Sequence, residues 1–319
     1  MGVHGVLDVG SELMSNRPLV IKFGGELLED RDRLATIVAA VRAIVEVHTP
    51  DVGVTRERYG ASVSGVGVGP HAGLVIVHGG GKEIDAALRV AGIEKRQVDG
   101  LRITDSATLD VVVSVLAGAI NTRLVAALNA AGVAAVGLTG ADANCGLSET
   151  APPHRAVDGA IVDLDRVGVP VAASDTRLLT TLMRDGFVPV VACIGVGGSG
   201  ELFNVNADTL AGHLAARLKA QRLVITGTTP GVLDADGLTL PLVDGAGIAR
   251  LVTDGTATAG MIAKLRACEA ALNASVEDVV IVDGRDGAAL VAAASVESPP
   301  KATRLIAGSA TVLEDARQR

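Results

Sequence analysis

The first apolar run of the chain ends in two glycines, Leu19-Val-Ile-Lys22-Phe-Gly24-Gly25, and the same arrangement returns at Leu74-Val-Ile-Val-His78-Gly79-Gly80-Gly81. A third turn is polar instead, Asn204-Val-Asn206-Ala-Asp208. Glycines carry no Cβ atom, so such turns bring backbone N–H groups and the start of a helix close to an anion. The repeated pattern of strand, turn and helix therefore indicates a phosphoryl-transfer site.

Short runs rich in β-branched residues recur along the chain, and most gaps between them have helical periodicity. The runs are 19–23, 74–78, 134–138, 188–194, 223–226, 278–282 and 303–306. Strands that are apolar throughout are usually buried on both faces of a parallel sheet. The pattern predicts an α/β fold, a three-layer αβα sandwich with a mainly parallel open sheet.

The same pattern suggests a division of the chain into parts. Residues 1–18 are expected to form an N-terminal extension, 19–187 an N-terminal lobe, and 188–319 a C-terminal lobe. Within the first lobe, residues 49–73 are rich in glycine and lack periodicity, which is typical of a flexible insertion.

One long apolar helix is predicted over residues 106–131, with Gly132 as its C-terminal stop. The side chains expected to face inward are Leu109, Val112, Val113, Leu116, Ile120, Leu124 and Leu128. A helix this long and this apolar could also serve a subunit interface.

Composition excludes several classes of function. The net charge is −8, and with no Trp, one Tyr and three Phe the chain lacks stacking platforms for bases, which opposes a nucleic-acid partner. The first 17 residues do not resemble a secretory signal, and the most apolar run, 111–120, is shorter than the roughly 20 residues that span a bilayer. We expect a soluble, cytoplasmic protein with no membrane partner, whose three isolated cysteines are reduced and buried.

Two familiar nucleotide motifs fail when tested against their context. The segment ending His78-Gly-Gly-Gly-Lys82 has Ile76 where the first P-loop glycine should stand, and Glu83 where Ser or Thr should follow. Gly195-Val-Gly-Gly-Ser-Gly200 matches a dinucleotide fingerprint formally, but no amphipathic helix follows it, so a tight hairpin-like turn is favoured. A nicotinamide oxidoreductase, the alternative that needs this turn, is disfavoured.

Four charged side chains are candidates for chemistry. Lys22 leaves a buried strand beside two glycines, where a phosphate contact is favoured over a surface charge. Asp208 begins a helix and could be an ordinary N-terminal helix charge or a carboxylate that holds two lysines in place. Arg102 could clamp a carboxylate with two hydrogen bonds, whereas Lys264 alone indicates only a solvated helix face.

Seven motifs, taken together and in order from Leu19 to Ile306, resemble the amino acid kinase family. They are Ile-Lys22-Phe-Gly-Gly25, Val-His78-Gly-Gly-Gly81, Gly100-Leu-Arg102-Ile-Thr-Asp105, Gly186-Phe-Val-Pro-Val, Phe203-Asn204-Val-Asn206-Ala-Asp208, Pro230-Gly-Val-Leu233 and Gly260-Met-Ile-Ala-Lys264. Any one of them would be weak evidence. The whole set in the family's order is specific.

The resemblance implies an ATP-dependent kinase that phosphorylates the side-chain carboxylate of an N-acylated glutamate. The favoured substrate is N-acetyl-L-glutamate, and the reaction would be the second step of arginine biosynthesis. The resemblance also implies that Lys22 and Lys264 stabilise the transferring phosphoryl group and that Asp208 organises both lysines. The acylated amino acid would be bound by Gly79, Gly80, Arg102 and Asn204. The nucleotide would be bound by Gly24, Gly25, Thr228, Gly231, Leu233, Thr256 and Thr258, with Mg²⁺ held mainly by phosphates and water.

The chain also departs from the family pattern at three places. Thr228 stands where the family often has Asp, residues 163–168 replace a segment near the substrate lid, and the amino terminus lacks a longer amphipathic helix. A homodimer is therefore expected rather than a hexamer. An N-succinylglutamate kinase, an aminoadipate-derivative kinase of lysine biosynthesis and a non-catalytic amino-acid sensor stay open as alternatives.

Overall fold

The structure is a computed structural model that describes residues 17–48, 73–156, 159–256, 259–295 and 299–307. Its centre is an eight-stranded sheet in the order β14-β16-β15-β13-β1-β2-β10-β5. These strands are β1 (Leu19–Phe23), β2 (Leu74–His78), β5 (Ala135–Thr139), β10 (Val188–Ala192), β13 (Arg222–Gly227), β14 (Leu242–Asp244), β15 (Val279–Asp283) and β16 (Ala302–Ile306). Every neighbouring pair is parallel except β15 and β16.

Helices pack against this sheet, and their apolar sides complete the core. One set of contacts joins α1 to α4 and α9, and another joins α6 to α8 and to strands β1, β2 and β13. The helices are α1 (Arg31–His48), α2 (Gly81–Val90), α3 (Ser106–Val113), α4 (Asn121–Ala130), α5 (Arg177–Arg184), α6 (Ala207–Arg217), α7 (Gly245–Thr253), α8 (Ala259–Asn273) and α9 (Gly287–Ala294). The predicted α/β sandwich with a mainly parallel sheet is confirmed.

All seven apolar runs predicted as strands lie in the large sheet. Its central strands β1, β2, β10 and β13 are buried at every position, which is why most of their residues are apolar. The sequence prediction missed edge strand β14, because Leu242-Val-Asp244 is too short to form an apolar run. The predicted lobe boundary at residue 188 stays a prediction, and residues 1–16 and 49–72 lie outside the described residues.

Smaller sheets stand beside the large one. A four-stranded sheet has the order β11-β12-β9-β6, and two hairpins pair β3 with β4 and β7 with β8. Their strands are β3 (Gln97–Val98), β4 (Leu101–Arg102), β6 (Ser148–Thr150), β7 (His154–Arg155), β8 (Ile161–Val162), β9 (Val167–Pro170), β11 (Ile194–Val196) and β12 (Leu202–Val205). Strands β11 and β12 are antiparallel, which confirms the tight turn predicted at the Gly195–Gly200 motif.

The long helix predicted at 106–131 is α3, a π-helical turn at Ser114–Ile120, and α4 in succession, and it ends at Ala130. Gly132 follows with a φ of +85°, as expected of a C-terminal stop. Six of the side chains predicted to face inward are buried, but Val113 is only partly buried and Val115 is buried instead. The wider π turn places an extra residue in the helix and shifts which side chains face the sheet.

This helix is also the part of the described chain that could cross a membrane by length and composition alone. Its mean hydropathy is 1.9 over 18 residues. The prediction considered only the run 111–120 and therefore underestimated the length of the apolar segment. Core helices of soluble proteins pass the same test, and this one packs against the sheet. Only 39% of that window is buried inside the chain, which leaves apolar helix surface uncovered.

A buried ion-pair cluster ties the amino-terminal end of β13 to β15 and β16. Arg222 Nε donates to Asp278 Oδ2 at 2.8 Å, and Arg304 Nε donates to Asp278 Oδ1 at 2.8 Å. Arg222 also donates to the carbonyls of Ala293 and Ser295 at the end of α9. The Asp278 carboxylate, buried between two guanidinium groups, thus links the starts of β13 and β15 to β16. Arg222 extends the cluster to the end of helix α9.

We expect Asp278→Asn to lower the free energy of unfolding by about 3–5 kcal/mol, because it leaves the Arg222 charge buried without its counter-ion. Urea titration of both proteins measures the difference. Arg42→Ala is the control, since Arg42 pairs with Glu46 on the exposed face of α1 and such pairs contribute less than about 1 kcal/mol. Equal losses in the two variants would show that burial does not strengthen the Asp278 cluster.

Candidate active site

The candidate site lies at the carboxyl ends of three neighbouring strands, β13, β1 and β2. The turns after β1 and β2 touch each other: a Cβ atom on Gly25 would lie 2.5 Å from Gly80 Cα. Gly79 N–H donates to the Phe23 carbonyl at 3.1 Å, which joins the two turns further. Only glycine permits this approach at Gly25 and Gly80, so the turns that carry the predicted residues Gly24, Gly25, Gly79 and Gly80 lie side by side.

Two ammonium groups meet one carboxylate beside these glycines. Lys22 Nζ lies 2.8 Å from Asp208 Oδ1, and Lys264 Nζ lies 3.7 Å from the same oxygen. All three side chains are nearly buried, with exposures of 9%, 11% and 13% for Lys22, Asp208 and Lys264. Both contacts are ion pairs by distance. Lys264 is therefore no solvated helix residue, and Asp208 is more than a helix charge.

The three charges shift one another's pKa values. Burial alone would lower the pKa of the Lys22 ammonium, but the Asp208 carboxylate outweighs burial and raises that pKa. Burial opposes the charge on Asp208 as well, yet the two ammonium groups hold the pKa of its carboxyl below the usual range. Burial, followed by repulsion from Lys22, lowers the pKa of Lys264. Lys22 is thus the more firmly protonated of the two lysines.

Local sequence explains how Asp208 is placed. Asn206 caps helix α6, and its side-chain oxygen accepts from the backbone N–H groups of Asp208 and Thr209 at 2.9 and 3.1 Å. The cap fixes the first turn of α6, so the Asp208 carboxylate extends from a rigid helix end. On the opposite side, Thr226 Oγ1 donates to the Lys22 carbonyl at 2.9 Å and anchors the end of β1 to β13.

Arg102 lies on β4 and reaches the start of helix α2. One of its terminal nitrogens, Nη2, pairs with Asp85 and contacts the Gly81 carbonyl at 3.4 Å. Its other terminal nitrogen, Nη1, is buried and has no hydrogen-bond partner among the described residues. A buried guanidinium nitrogen without an acceptor is costly, so the geometry suits an incoming anion. Lys95 also pairs with Asp85, at 2.8 Å.

Asn204 is connected to Arg102 through Thr104. Asn204 Nδ2 donates to Thr104 Oγ1 at 3.0 Å, and Thr104 is completely buried two residues after Arg102. Asp165 forms a parallel bridge with Thr104, so the segment 163–168 that departs from the family pattern packs directly on this motif. The predicted substrate residues Arg102 and Asn204 therefore share one connected wall with the glycine turns.

The residues predicted to bind nucleotide lie on separate loops and are less close to one another than the residues around Asp208. Gly227 ends β13 next to Lys264, whose Nζ would lie 3.9 Å from a Cβ at that position, and Thr228 follows at once. Gly231, with a φ of +89°, packs against Thr303, whose Oγ1 accepts from Val232 N–H at 2.7 Å and donates to the Leu240 carbonyl. Leu233 continues this loop with a bridge to Thr239. Thr256 is half-buried after α7, and Thr258 lies outside the described residues.

Sequence reasoning missed several residues of this site. Asp85, Thr303 and Asn121 were not singled out, and His78 was noted only as part of a motif. Asp85 could have been found, because it lies four positions after Gly81, one helical turn along α2. The three cysteines are buried as predicted, and burial raises the pKa of each thiol to about 12. These thiols are therefore not nucleophiles at neutral pH.

The arrangement can stabilise developing negative charge next to a bound anion. Buried ammonium groups lie beside the two glycine turns, where low dielectric strengthens their effect. Among the described residues, no group of three or more His, Cys, Asp and Glu side chains could hold a metal ion. Asp208 is already neutralised by two lysines, so a divalent ion would have to enter with its own oxygen ligands.

Several proteins of known identity are similar to this chain in sequence. The acetylglutamate kinase of Novosphingobium aromaticivorans is 44% identical over 229 residues, which cover 69% of this chain and 74% of the relative. The acetylglutamate kinase of Symbiobacterium thermophilum is 40% identical over 276 residues, or 85% of each chain.

Solved structures share the fold at lower identity. The N-acetylglutamate synthase of Neisseria gonorrhoeae, in complex with coenzyme A and N-acetyl-glutamate, superposes with a TM-score of 0.71 at 21% identity. The match covers 92% of this chain and 60% of that one. The carbamate kinase of Giardia gives a TM-score of 0.57 at 16% identity, over 92% of this chain and all of the other. These likenesses establish the fold alone.

The model of the amino acid kinase family matches residues 17–283, which include both glycine turns, Asp208 and Lys264. The match spans β1 to β15 and therefore the whole of the site described above except Thr303 on β16. The chain belongs to the amino acid kinase family.

Proposed function

We propose that this protein uses ATP to phosphorylate the side-chain carboxylate of N-acetyl-L-glutamate, the second step of arginine biosynthesis. The observation that carries the proposal is the buried pair of ammonium groups on Asp208, beside two touching glycine turns. Relatives with 38–45% identity are acetylglutamate kinases, which supports the substrate. All three charged residues are present, which disfavours a non-catalytic sensor.

The reaction is a direct in-line transfer of the γ-phosphoryl group to the carboxylate. A carboxylate is already nucleophilic, so no general base is needed. Lys22 and Lys264 act on the charge of the transferring group, and Asp208 keeps both ammonium groups in position. Glycine N–H groups of the two turns hold phosphate oxygens. Mg²⁺ would be held mainly by the phosphates of ATP and by water, and it would supply positive charge that neutralises the nucleotide.

Arg102 gives the site its preference for an amino-acid derivative. Its unpartnered Nη1 supports this role, because that N–H group is free to donate to the free α-carboxylate of the substrate while Asp85 holds Nη2. Asn204 contributes a polar side chain to the same wall. A free α-carboxylate favours a small-molecule substrate over one attached to a carrier protein.

Assembly and location complete the proposal. The apolar helix from Ser106 to Ala130 is only partly covered within the chain, which supports its use in a homodimer. The protein works in the cytoplasm, where ATP is available and thiols stay reduced. Its partners are ATP and the acylamino acid, without nucleic acid or membrane.

A coupled assay of ADP release tests the substrate assignment. Purified protein is given ATP, Mg²⁺ and one of N-acetylglutamate, N-succinylglutamate or N-acetylaminoadipate. The highest kcat/KM is expected for N-acetylglutamate. Preference for either of the other two would replace the proposal by the corresponding kinase, and no turnover with any of them, together with amino-acid binding, would favour the sensor.

We expect Lys22→Ala and Lys264→Ala each to lower kcat by about 10³-fold or more, with much smaller changes in KM for ATP. A cation that acts on the transition state has an effect of this size, by analogy with arginine fingers. Steady-state kinetics measures it, with the exposed Lys301→Ala as control. Near-normal kcat in either site variant would remove that lysine from the mechanism.

Arg102→Lys should chiefly weaken binding of the acylamino acid. A lysine cannot reproduce two hydrogen bonds from a planar fork, and the loss should be about 1.5–3 kcal/mol, the range for a hydrogen bond to a charged group. Calorimetric titration with each ligand measures both affinities, and the exposed Arg184→Lys serves as control. Equal weakening of ATP binding would contradict the assignment to the substrate carboxylate.

The protein is expected to be a homodimer that is insensitive to arginine. The expectation rests on the sequence before Leu19, where three glycines and isolated apolar positions give a low helix propensity. Light scattering gives the oligomeric state, and substrate saturation curves with and without millimolar arginine test the inhibition. A hexamer, or a curve shifted by arginine, would show that the prediction is wrong.

A further inference from the structure

His78 is a completely buried histidine at the end of β2, directly before the glycine turn. Its ring contacts two groups: Nε2 lies 3.0 Å from Asn121 Nδ2, and Nδ1 lies 3.3 Å from the Gly79 carbonyl oxygen. The phosphoryl-transfer mechanism above does not use this side chain. Because both ring nitrogens of His78 contact polar groups in the interior, we expect the ring to fix the orientation of the Gly79 carbonyl and the Asn121 amide.

Asn121 determines which ring nitrogen carries the proton. Its amide nitrogen also donates to the Val190 carbonyl at 2.9 Å, and a carbonyl can only accept. The end of the Asn121 amide that lies between Val190 and His78 is therefore its NH₂ group. One hydrogen is donated to the Val190 carbonyl and the other to His78 Nε2. His78 Nε2 must then accept, which leaves the proton on Nδ1.

The ring is neutral as well as fixed in its tautomer. Burial lowers the pKa of His78 to about 4, and the hydrogen bond to Gly79 only partly opposes that shift. A neutral ring with its proton on Nδ1 donates to the Gly79 carbonyl. Because a trans peptide directs its C=O and N–H in opposite directions, the donor holds the Gly80 N–H away from the ring.

That N–H group belongs to the glycine turn that touches Gly25, three positions after Lys22. Among the described residues no protein oxygen accepts a hydrogen bond from Gly80 N–H, and the Gly80 nitrogen would lie 2.8 Å from a Cβ on Gly25. Ile120 covers the other side of Gly80, with its Cδ1 2.2 Å from where a Cβ would stand. Packing by Gly25 and Ile120 thus confines the Gly79–Gly80 peptide. His78 adds a hydrogen bond from Nδ1 to the carbonyl oxygen of that peptide.

We propose that His78, held as the neutral Nδ1–H tautomer by Asn121, is a positioning residue that orients the Gly79–Gly80 peptide for phosphoryl transfer. The proposal rests on the proposed kinase function and adds a residue to it. Asn121 stands where the π-helical turn meets α4, so the helix expected at the subunit interface also supports the phosphate turn.

Two substitutions at His78 separate its two hydrogen bonds. His78→Asn keeps an N–H donor near the position of Nδ1, next to the Gly79 carbonyl, but loses the contact with Asn121. His78→Gln places its amide near the position of Nε2 and loses the Gly79 contact. We expect kcat to be at least about tenfold lower in His78→Gln than in His78→Asn, with KM for ATP changed by less than about threefold, because a small misplacement of a reacting group can cost up to 10²-fold.

His213→Gln is the matched control. His213 is also a largely buried histidine with a pKa lowered to about 4, and it bonds Ser174 at 2.9 Å rather than the glycine turn. We expect this variant to lose thermal stability without the loss of kcat. If His213→Gln lowered kcat as much as His78→Gln, or if the two His78 variants had equal kcat, the positioning role would be overturned.

Gly137→Ala tests the same network from the other side of Asn121. A Cβ at Gly137 would lie 2.2 Å from Asn121 Oδ1, so the substitution displaces the amide without touching the site. We expect a fall in kcat of about tenfold, since the ring then loses the contact that fixes its tautomer. A Gly137→Ala protein that is folded and has unchanged kcat would contradict the role of Asn121.

The tautomer itself is measured on the unmodified protein. In the nitrogen–proton correlation spectrum of ¹⁵N-histidine-labelled protein, the signal that His78→Asn or His78→Gln removes belongs to His78. We expect a neutral ring with a protonated Nδ1 between pH 8 and about pH 5, consistent with its lowered pKa. A ring protonated on Nε2, or on both nitrogens, would overturn the proposal, and one folded His78 variant is enough to assign the signal.

The two proposals fail in different ways. An active kinase with the wrong His78 tautomer would overturn only the positioning role. A wild-type protein with the expected tautomer but no turnover of any acylglutamate would overturn the proposed function. The role of His78 and Asn121 in phosphoryl transfer would then be overturned as well.

Discussion

Burial of two ammonium groups against one carboxylate constrains much of this structure. An unpaired charge in the interior is costly, so β1, which carries Lys22, and α8, which carries Lys264, must both be held against the first turn of α6. Asn206 fixes that turn by capping it, and Thr226 fixes the end of β1 from the neighbouring strand. The site and the centre of the fold are therefore stabilised by the same contacts.

The glycine turns impose a second constraint, which is steric. Gly25 and Gly80 approach so closely that neither position has room for a Cβ atom, and Ile120 encloses Gly80 from the long helix. Backbone N–H groups can then be presented to an anion with no side chain in between. The π-helical turn before Asn121 belongs to this arrangement, because it adjusts the helix to the sheet at the point where helix and glycine turn meet.

Much of the fold followed from short apolar runs, since strands buried on both faces leave a strong signal in the sequence. Strand β14 and the hairpin strands lack that signal, because they are two or three residues long and lie at edges. The π turn was not predicted either. A helical pattern with four-residue spacing between Leu116, Ile120, Leu124 and Leu128 is compatible with an ordinary α-helix until the opposing sheet is present.

The sequence by itself determined the fold class, the strand–turn–helix units and the residue types at the candidate site, because these depend on local patterning and on motifs in order. Which charges meet did not follow from local patterns; the family resemblance implied that Asp208 organises both lysines, and the tertiary structure shows those contacts. Lys264 is 56 positions from Asp208 in sequence and indicated only a solvated helix face, yet its ammonium group is buried 3.7 Å from that carboxylate. The contact between Asn121 and His78 was equally out of reach, whereas Asp85 could have been found from its helical spacing to Gly81. A pairing between distant side chains depends on how helices pack on the sheet, and no local pattern records that distance.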